Sequence, residues 1–257
     1  MLIDTHAHMN DKRLAPQADR LISEMHANGL EAIINVGYDL ESSQWSVDCA
    51  RANNRVFAVI GIHPHDAKCA TKGMYDYFAS VADDSNVIAF GEIGLDYHYD
   101  YSPRDIQKRV FIEQLELADS LKLPVVIHLR EAYQDMLEIL KENRNIIQNG
   151  IVMHCYSGSA EIVENMRFLD CYYSFGGALT FAKGKDKVLS AIPNNRIMLE
   201  TDCPYMTPVP YRGKTNQPHY VKYVAEKIAE MKGISYEEVA NITTENAYEF
   251  FNKMTRY

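Results

Sequence analysis

The sequence has no apolar run approaching the roughly 20 residues that cross a bilayer, so no membrane span is expected. It opens straight into a strand-like segment, without the cationic and apolar leader of a secreted chain. Cysteine is sparse: the five residues Cys49, Cys69, Cys155, Cys171 and Cys203 are odd in number and form no C-x-x-C pair. They suggest neither a disulfide framework nor a thiolate zinc site, and a reducing cytoplasm is the expected compartment. Positive charge is also short, with 26 Lys and Arg against 35 Asp and Glu and a formal net charge of −9. That balance argues against a broad groove tracking nucleic acid backbone, although a small site accepting one phosphate stays open. Repeats, linkers and low-complexity stretches are missing, so residues 1–257 read as a single domain.

What is present is an alternation of short apolar strands with helical segments. Strand signals fall at the N-terminus, at 31–37, 56–63, 87–93, 125–128, 150–155, 171–175 and 197–202. Helical spacing falls between them, at 11–29, 41–53, 74–81, 102–122, 131–143, 160–169 and 185–192. Ser102-Pro103 makes a good helix start, with Ser as cap and Pro at the first position. The tail adds a helix over 217–231, an S-x-x-E capping box at Ser235 to Glu238, and a last short helix capped by Thr244. Eight strands within 257 residues predict an α/β fold, a single-domain (β/α)8 TIM barrel.

The chemistry starts at Asp4-Thr-His-Ala-His8. On a strand, His6 and His8 project to one side and can grip one divalent ion. Barrels of this kind work at the C-terminal ends of their strands. At that level the sequence places His6 and His8 on the first strand, Glu92 on the fourth, His128 on the fifth, His154 on the sixth and Asp202 on the eighth. Four imidazoles and two carboxylates exceed the needs of one tetrahedral zinc, so two divalent ions, magnesium, manganese or zinc, are expected. Strand position assigns His6, His8 and Asp202 to one ion, His128 and His154 to the other, and Glu92 between them. Alternation turns Asp4 and Glu200 inward beneath these ligands, as groups that orient imidazoles. The same alternation turns Cys155 and Cys203 away, as packing residues.

These residues resemble the TatD family of metal-dependent hydrolases, within the amidohydrolase superfamily. The likeness spans nearly the whole chain and rests on motifs in a fixed order: Asp4 to His8, Gly61-Ile-His-Pro-His65, Gly91-Glu-Ile-Gly-Leu-Asp96, His128-Leu-Arg130, His154-Cys-Tyr-Ser-Gly158, Glu200-Thr-Asp-Cys-Pro-Tyr205 and the basic stretch after Pro210. It implies a (β/α)8 barrel with a two-metal site and a magnesium- or manganese-supported deoxyribonuclease, often a 3′ exonuclease. Carried over by position, its ligands are the same six residues, and His63 matches a substrate-side histidine. The chain departs from the family at Cys203, where Ser is common, at Glu131, where Asp is frequent, and at His98, often Tyr; Thr215 interrupts the basic stretch.

The reaction so implied is two-metal hydrolysis of a phosphodiester in DNA, single-stranded or at 3′ ends, by a monomer. Asp202 is the expected general base and Glu92 the shared catalytic carboxylate; His63, His65, Arg130, Arg212 and Lys214 are expected to hold the phosphate. The loop tyrosines Tyr97, Tyr99 and Tyr101 could stack on bases, or serve as a lid or packing. Two other readings use the same residues: hydrolysis of an ester or amide, such as an aminoacyl-tRNA ester, and a metal site serving structure alone.

Overall fold

The computed structural model describes residues 1–256. Its strands are β1 (Leu2–Ala7), β2 (Leu30–Val36), β3 (Val56–Ile60), β4 (Val87–Asp96), β5 (Val125–Arg130), β6 (Ile151–Met153), β7 (Tyr172–Phe175) and β8 (Ile197–Leu199). They pair in sequence order, each parallel to the next. The ring closes where Ala7 pairs with Cys203, His8 N donates to the Cys203 carbonyl at 2.8 Å, and Asp202 N donates to the His6 carbonyl at 2.9 Å. The helices are α1 (Ala18–Glu24), α2 (Leu40–Ala52), α3 (Lys72–Val81), α4 (Arg104–Ser120), α5 (Tyr133–Glu142), α6 (Ala160–Asn165), α7 (Asp186–Ala191), α8 (Val221–Lys232) and α9 (Tyr236–Phe250). The molecule is the expected (β/α)8 barrel, and among the described residues no helix is long and apolar enough to cross a membrane.

Strand parity explains how one set of residues builds both the plug and the site. Val126, Val152, Met198 and Ile88 belong to one buried apolar cluster with Phe57 and Val59. Each shares parity with a polar residue further along its strand: Val126 with His128, Val152 with His154, Met198 with Glu200, Ile88 with Glu92. Phe250, Phe251 and Met254 join the same cluster and cover it from the chain's C-terminal end. The apolar half of each inward face therefore fills the barrel, and its polar end is left at the mouth.

Local sequence departs from expectation in four places. The first is Ser102, which caps no helix: α4 starts at Arg104 with Pro103 in the cap position, and the Ser102 hydroxyl instead donates to the His65 carbonyl at 2.8 Å. Residues 11–29 do not form one helix; Pro16 lies in a 3-10 turn, α1 is seven residues long, and a second 3-10 turn ends at Gly29 with φ +86°. Proline cannot donate into a helical ladder, which accounts for the break at the N-terminal side. The segment 160–169 is helical only to Asn165, and its last turn tightens before Asp170 at φ +48°. Thr244 caps no separate helix: α9 runs unbroken past it, and the Thr244 hydroxyl donates to the Met1 carbonyl at 3.0 Å. Ser235 caps α9, its hydroxyl accepting from Glu238 N at 3.1 Å, which is one of the two bonds of the expected capping box.

Candidate metal centre

Glu92 stands at the middle of the barrel mouth, buried, on the long strand β4. Its two oxygens look in different directions. Oε1 lies 2.7 Å from His128 Nδ1, 2.9 Å from His154 Nε2 and 3.5 Å from His63 Nε2. Oε2 lies 3.4 Å from His6 Nε2 and 3.8 Å from His8 Nε2. Asp202, with its side chain 13% exposed, closes the ring with Oδ1 3.4 Å from His8 Nε2. All six residues read from the sequence as ligands thus meet in one place.

Three groups within this ring hold their donor atoms within 4.8 Å of one another: His6, His154 and Asp202; His6, His8 and Glu92; His63, Glu92 and His128. Imidazole nitrogens and carboxylate oxygens suit zinc, manganese or a similar divalent ion. The His6 and His8 Nε2 atoms approach to 3.2 Å, and the His6 and His154 rings stack at 3.8 Å. Such crowding of imidazoles is what a shared cation would organise, so the donor set fits a metal. The grouping differs from the strand-based division. His154 sits with His6 and Asp202, and His63, expected beside the substrate, joins His128 and Glu92.

The electrostatics follow from burial against close pairing. Burial works to raise the Glu92 carboxyl, but His154 and His63 and the bonds from His128 and His154 overcome it and hold it well below the usual carboxylate range. Asp202 is likewise lowered, burial being outweighed by His8 and His154. Burial lowers His6 and, more strongly, His63, each aided by a neighbouring imidazole. For His154, burial is overridden by Glu92 and Glu200, which raise it well above its ordinary value; for His128 the same override comes from Asp96 and Glu92.

The supporting groups are partly those expected. Glu200, fully buried, places Oε1 3.2 Å from His154 Nδ1 and also accepts from Cys155 N at 2.7 Å. Asp4 does not touch the imidazole rings. It accepts from Thr201 N at 2.8 Å, from Thr201 Oγ1 at 2.6 Å and from His6 N at 3.3 Å, and so clasps the β1 and β8 ends together. The group that orients His8 is instead the Val36 carbonyl, 2.9 Å from Nδ1, which turns Nε2 toward the centre. Cys203 is buried as packing, but Cys155 lines the cleft, because its φ of +45° breaks the strand alternation.

Asp96 is the residue the sequence reading passed over. Its Oδ2 sits 3.0 Å from His128 Nε2 and 3.1 Å from His65 Nε2; its Oδ1 accepts from His98 N and Tyr99 N at 3.0 and 2.9 Å. One signal points to it, the parity it shares with Glu92. A Cβ at Gly94 would lie 2.1 Å from the His128 carbonyl, so only glycine lets β4 and β5 approach here, at a φ of +145°.

A cleft of about 900 Å³ opens above these groups. His63, His65 and Arg130 line it as expected, together with Tyr99, Tyr101, Tyr205 and Lys185. Tyr99 and Tyr101 stack on each other at 5.2 Å and are 45% and 57% exposed, while Tyr97 turns away to donate to Asp135 at 2.5 Å. Arg212 and Lys214 are not among the lining residues. Arg212 lies 3.7 Å over the Phe181 ring and Lys214 5.2 Å from the Tyr211 ring.

Comparison with known proteins supplies the family. The profile of the TatD related DNase family matches residues 3–252. The chain belongs to the TatD family. An uncharacterized metal-dependent hydrolase of Bacillus subtilis, YabD, is 44% identical over 98% of this chain and 99% of its own length. Another from Escherichia coli K12, YcfH, is 32% identical over 98% and 96% respectively. The crystal structure of a TatD homolog from Escherichia coli, YjjV, superposes with a TM-score of 0.91 at 26% identity, covering 98% of both chains. The molecule is accordingly a metal-dependent hydrolase.

Proposed function

We propose that this TatD family protein is a deoxyribonuclease that removes nucleotides from 3′ ends of single-stranded DNA, with two divalent ions at the barrel mouth. The observation that carries the proposal is the Glu92 carboxylate, whose separate oxygens face separate imidazole groups, as a bridging ligand's would. His6, His8 and Asp202 would hold an ion on the Oε2 side of it and His128 with His63 one on the Oε1 side, with His154, 2.9 Å from Oε1 and stacked on His6, between the two. Bound there, such ions act as Lewis acids on the phosphoryl oxygens and ease deprotonation of the attacking water. Asp202 stays ionised at neutral pH, accepts the water's proton as the oxygen attacks phosphorus, and returns a proton to the departing sugar oxygen. Arg130 and His65 steady the phosphoryl oxygens, and the paired Tyr99 and Tyr101 rings offer a face on which a base stacks. One chain supplies every residue of the site, so a monomer is the proposed working unit, and the cytoplasm its compartment.

The test strips the protein with chelator, restores magnesium, manganese or zinc separately, and follows a 5′-labelled single-stranded oligonucleotide beside the Asp202→Asn variant. Stepwise shortening from the 3′ end, dependent on metal and lost in the variant, is the expected result. Hydrolysis of an aminoacyl or amide substrate with no cleavage of DNA by any metal form would overturn the assignment.

A further inference from the structure

The cleft holds two cations that no acid neutralises. Among the residues lining it, Arg130 and Lys185 are the lysine and arginine, set against Asp66, Glu92, Asp96, Glu131 and Asp202. Four of these acids are engaged elsewhere, Asp96 with His65 and His128, Asp202 with His8, Glu92 with its ring of imidazoles, and Glu131 with His98 at 2.8 Å, while Asp66 forms no ion pair with either cation. The Arg130 guanidinium instead lies 4.8 Å over the Tyr99 ring. Lys185 is half-buried in the segment before α7, and its Nζ donates to the carbonyls of Ser157 at 2.6 Å and Gly158 at 3.2 Å. An ammonium has three protons. Two are used to hold the loop after β6, and the third is left for the cleft. Arg130 follows His128 by two residues on β5, and Lys185 is bonded to the loop that follows His154, so both line the cleft beside the metal ligands.

Leaving a half-buried cation unpaired is unfavourable unless an anion arrives with the ligand. We infer that Lys185 is a second anion anchor, which takes a phosphate flanking the scissile one and so makes the site selective for substrates with at least two phosphates. The inference rests on the nuclease reading above and extends it from a bond type to a polyanionic substrate. A mononucleotide ester or an uncharged ester engages the metal ligands but leaves Lys185 unused. Held at a fixed point by the Ser157 and Gly158 carbonyls, the ammonium meets the phosphate as a point charge with little ordering cost.

The experiment compares wild type, Lys185→Gln and Lys185→Arg in two assays. The first is equilibrium binding of a labelled single-stranded oligonucleotide to chelator-treated protein over a series of salt concentrations. The second is KM for the same oligonucleotide and for a single-phosphodiester nitrophenyl probe in the metal-loaded enzyme. One phosphate contact to a single strand contributes about 0.7 to the slope of log affinity against log salt. The Gln variant is expected to lose about that much slope, the Arg variant to restore it. KM for the oligonucleotide should rise about ten-fold more than for the single-phosphodiester probe. An uncharged methylphosphonate at the flanking linkage should erase the difference between wild type and the Gln variant. Equal slopes in wild type and Gln, or a difference that survives the methylphosphonate, would overturn the inference and leave the nuclease assignment standing. A wild type that neither binds nor cuts any oligonucleotide would overturn both.

Discussion

Asp96→Asn isolates the carboxylate behind His128. His128 turns Nδ1 to Glu92 at 2.7 Å and Nε2 to Asp96 at 3.0 Å, so an ion bound beside Glu92 meets Nδ1 while Asp96 accepts the far ring proton. The same carboxylate oxygen also holds His65 Nε2 at 3.1 Å. Asparagine keeps an oxygen for His98 N and Tyr99 N, so the loop bearing Tyr99 and Tyr101 stays in place. It can, however, present an amide N–H toward both imidazoles, where two donors then oppose each other. Loss of such a partner to a ligating histidine costs roughly 10- to 100-fold in metal affinity or activity. The expected result is that isothermal titration shows the weaker of the bound ions loosened by about that factor, with kcat/KM falling in parallel at limiting metal and recovering as metal is raised. Asp96→Ala also frees the two backbone donors, at about 1 kcal/mol each. In a chain of this size that lowers Tm by roughly 4–8 °C, a loss the Asn variant should largely avoid. Wild-type metal affinity in the Asn variant would refute the account of His128. Equal Tm in Asn and Ala would refute the account of the loop.

Two further outcomes follow from the same groups. His128, His154 and His8 are raised above their ordinary value of 6.5 by nearby carboxylates, although burial opposes each shift, so their stabilisation is complete below about pH 6.5 and is lost as pH rises through the raised values. Glu92 and Asp202 are lowered, so their share is lost as pH falls below the carboxylate range, and His6 and His63, lowered by burial, also disfavour acid. Tm of chelated protein should therefore peak near pH 6.5, while metal, which needs neutral imidazoles, should move the peak upward; a chelated protein still gaining Tm from pH 7 to 9 would contradict this. Asp4→Ala strands the buried Thr201 donors at roughly 1–3 kcal/mol, or a Tm loss on the order of 5 °C. Asp4→Asn should lose less, because burial already keeps the Asp4 carboxyl well above its usual range, and differential scanning calorimetry of the pair decides it.

Much of the site was legible because its ligands obey one rule. Each of Glu92, His128 and His154 shares parity with an apolar residue earlier on its strand, and His6 and His8 share parity with each other, so the period of two that a pleated strand imposes is visible in sequence. Where backbone leaves that period, sequence reading fails. Cys155 was assigned to packing from alternation, and its positive φ turns it into the cleft. Asp96 lies on the correct parity, but Gly94 ahead of it reads as the end of a strand; in the barrel it is the point where β4 must pass the His128 carbonyl closely, and the ladder continues to Asp96 and Arg130.

Residues on loops show a different limit. Arg212 and Lys214 and the unnoticed Lys185 all lie in segments without strand periodicity, and nothing local distinguishes them. Arg212 and Lys214 are drawn onto aromatic rings, whereas Lys185 is pinned into the cleft by carbonyls some 27 and 28 residues earlier in the chain. The choice between these fates depends on which loop passes beside which strand end. Charge counting reaches the same boundary. A net −9 excludes a wide basic groove, yet it does not describe the cleft, where histidines engage four of the five acids and Arg130 and Lys185 form no ion pair among the described residues. Overall acidity is thus compatible with binding a polyanion, provided the attraction is confined to a metal centre and a few fixed cations around it; a shallow salt dependence, set by few contacts, is the physical signature of that arrangement.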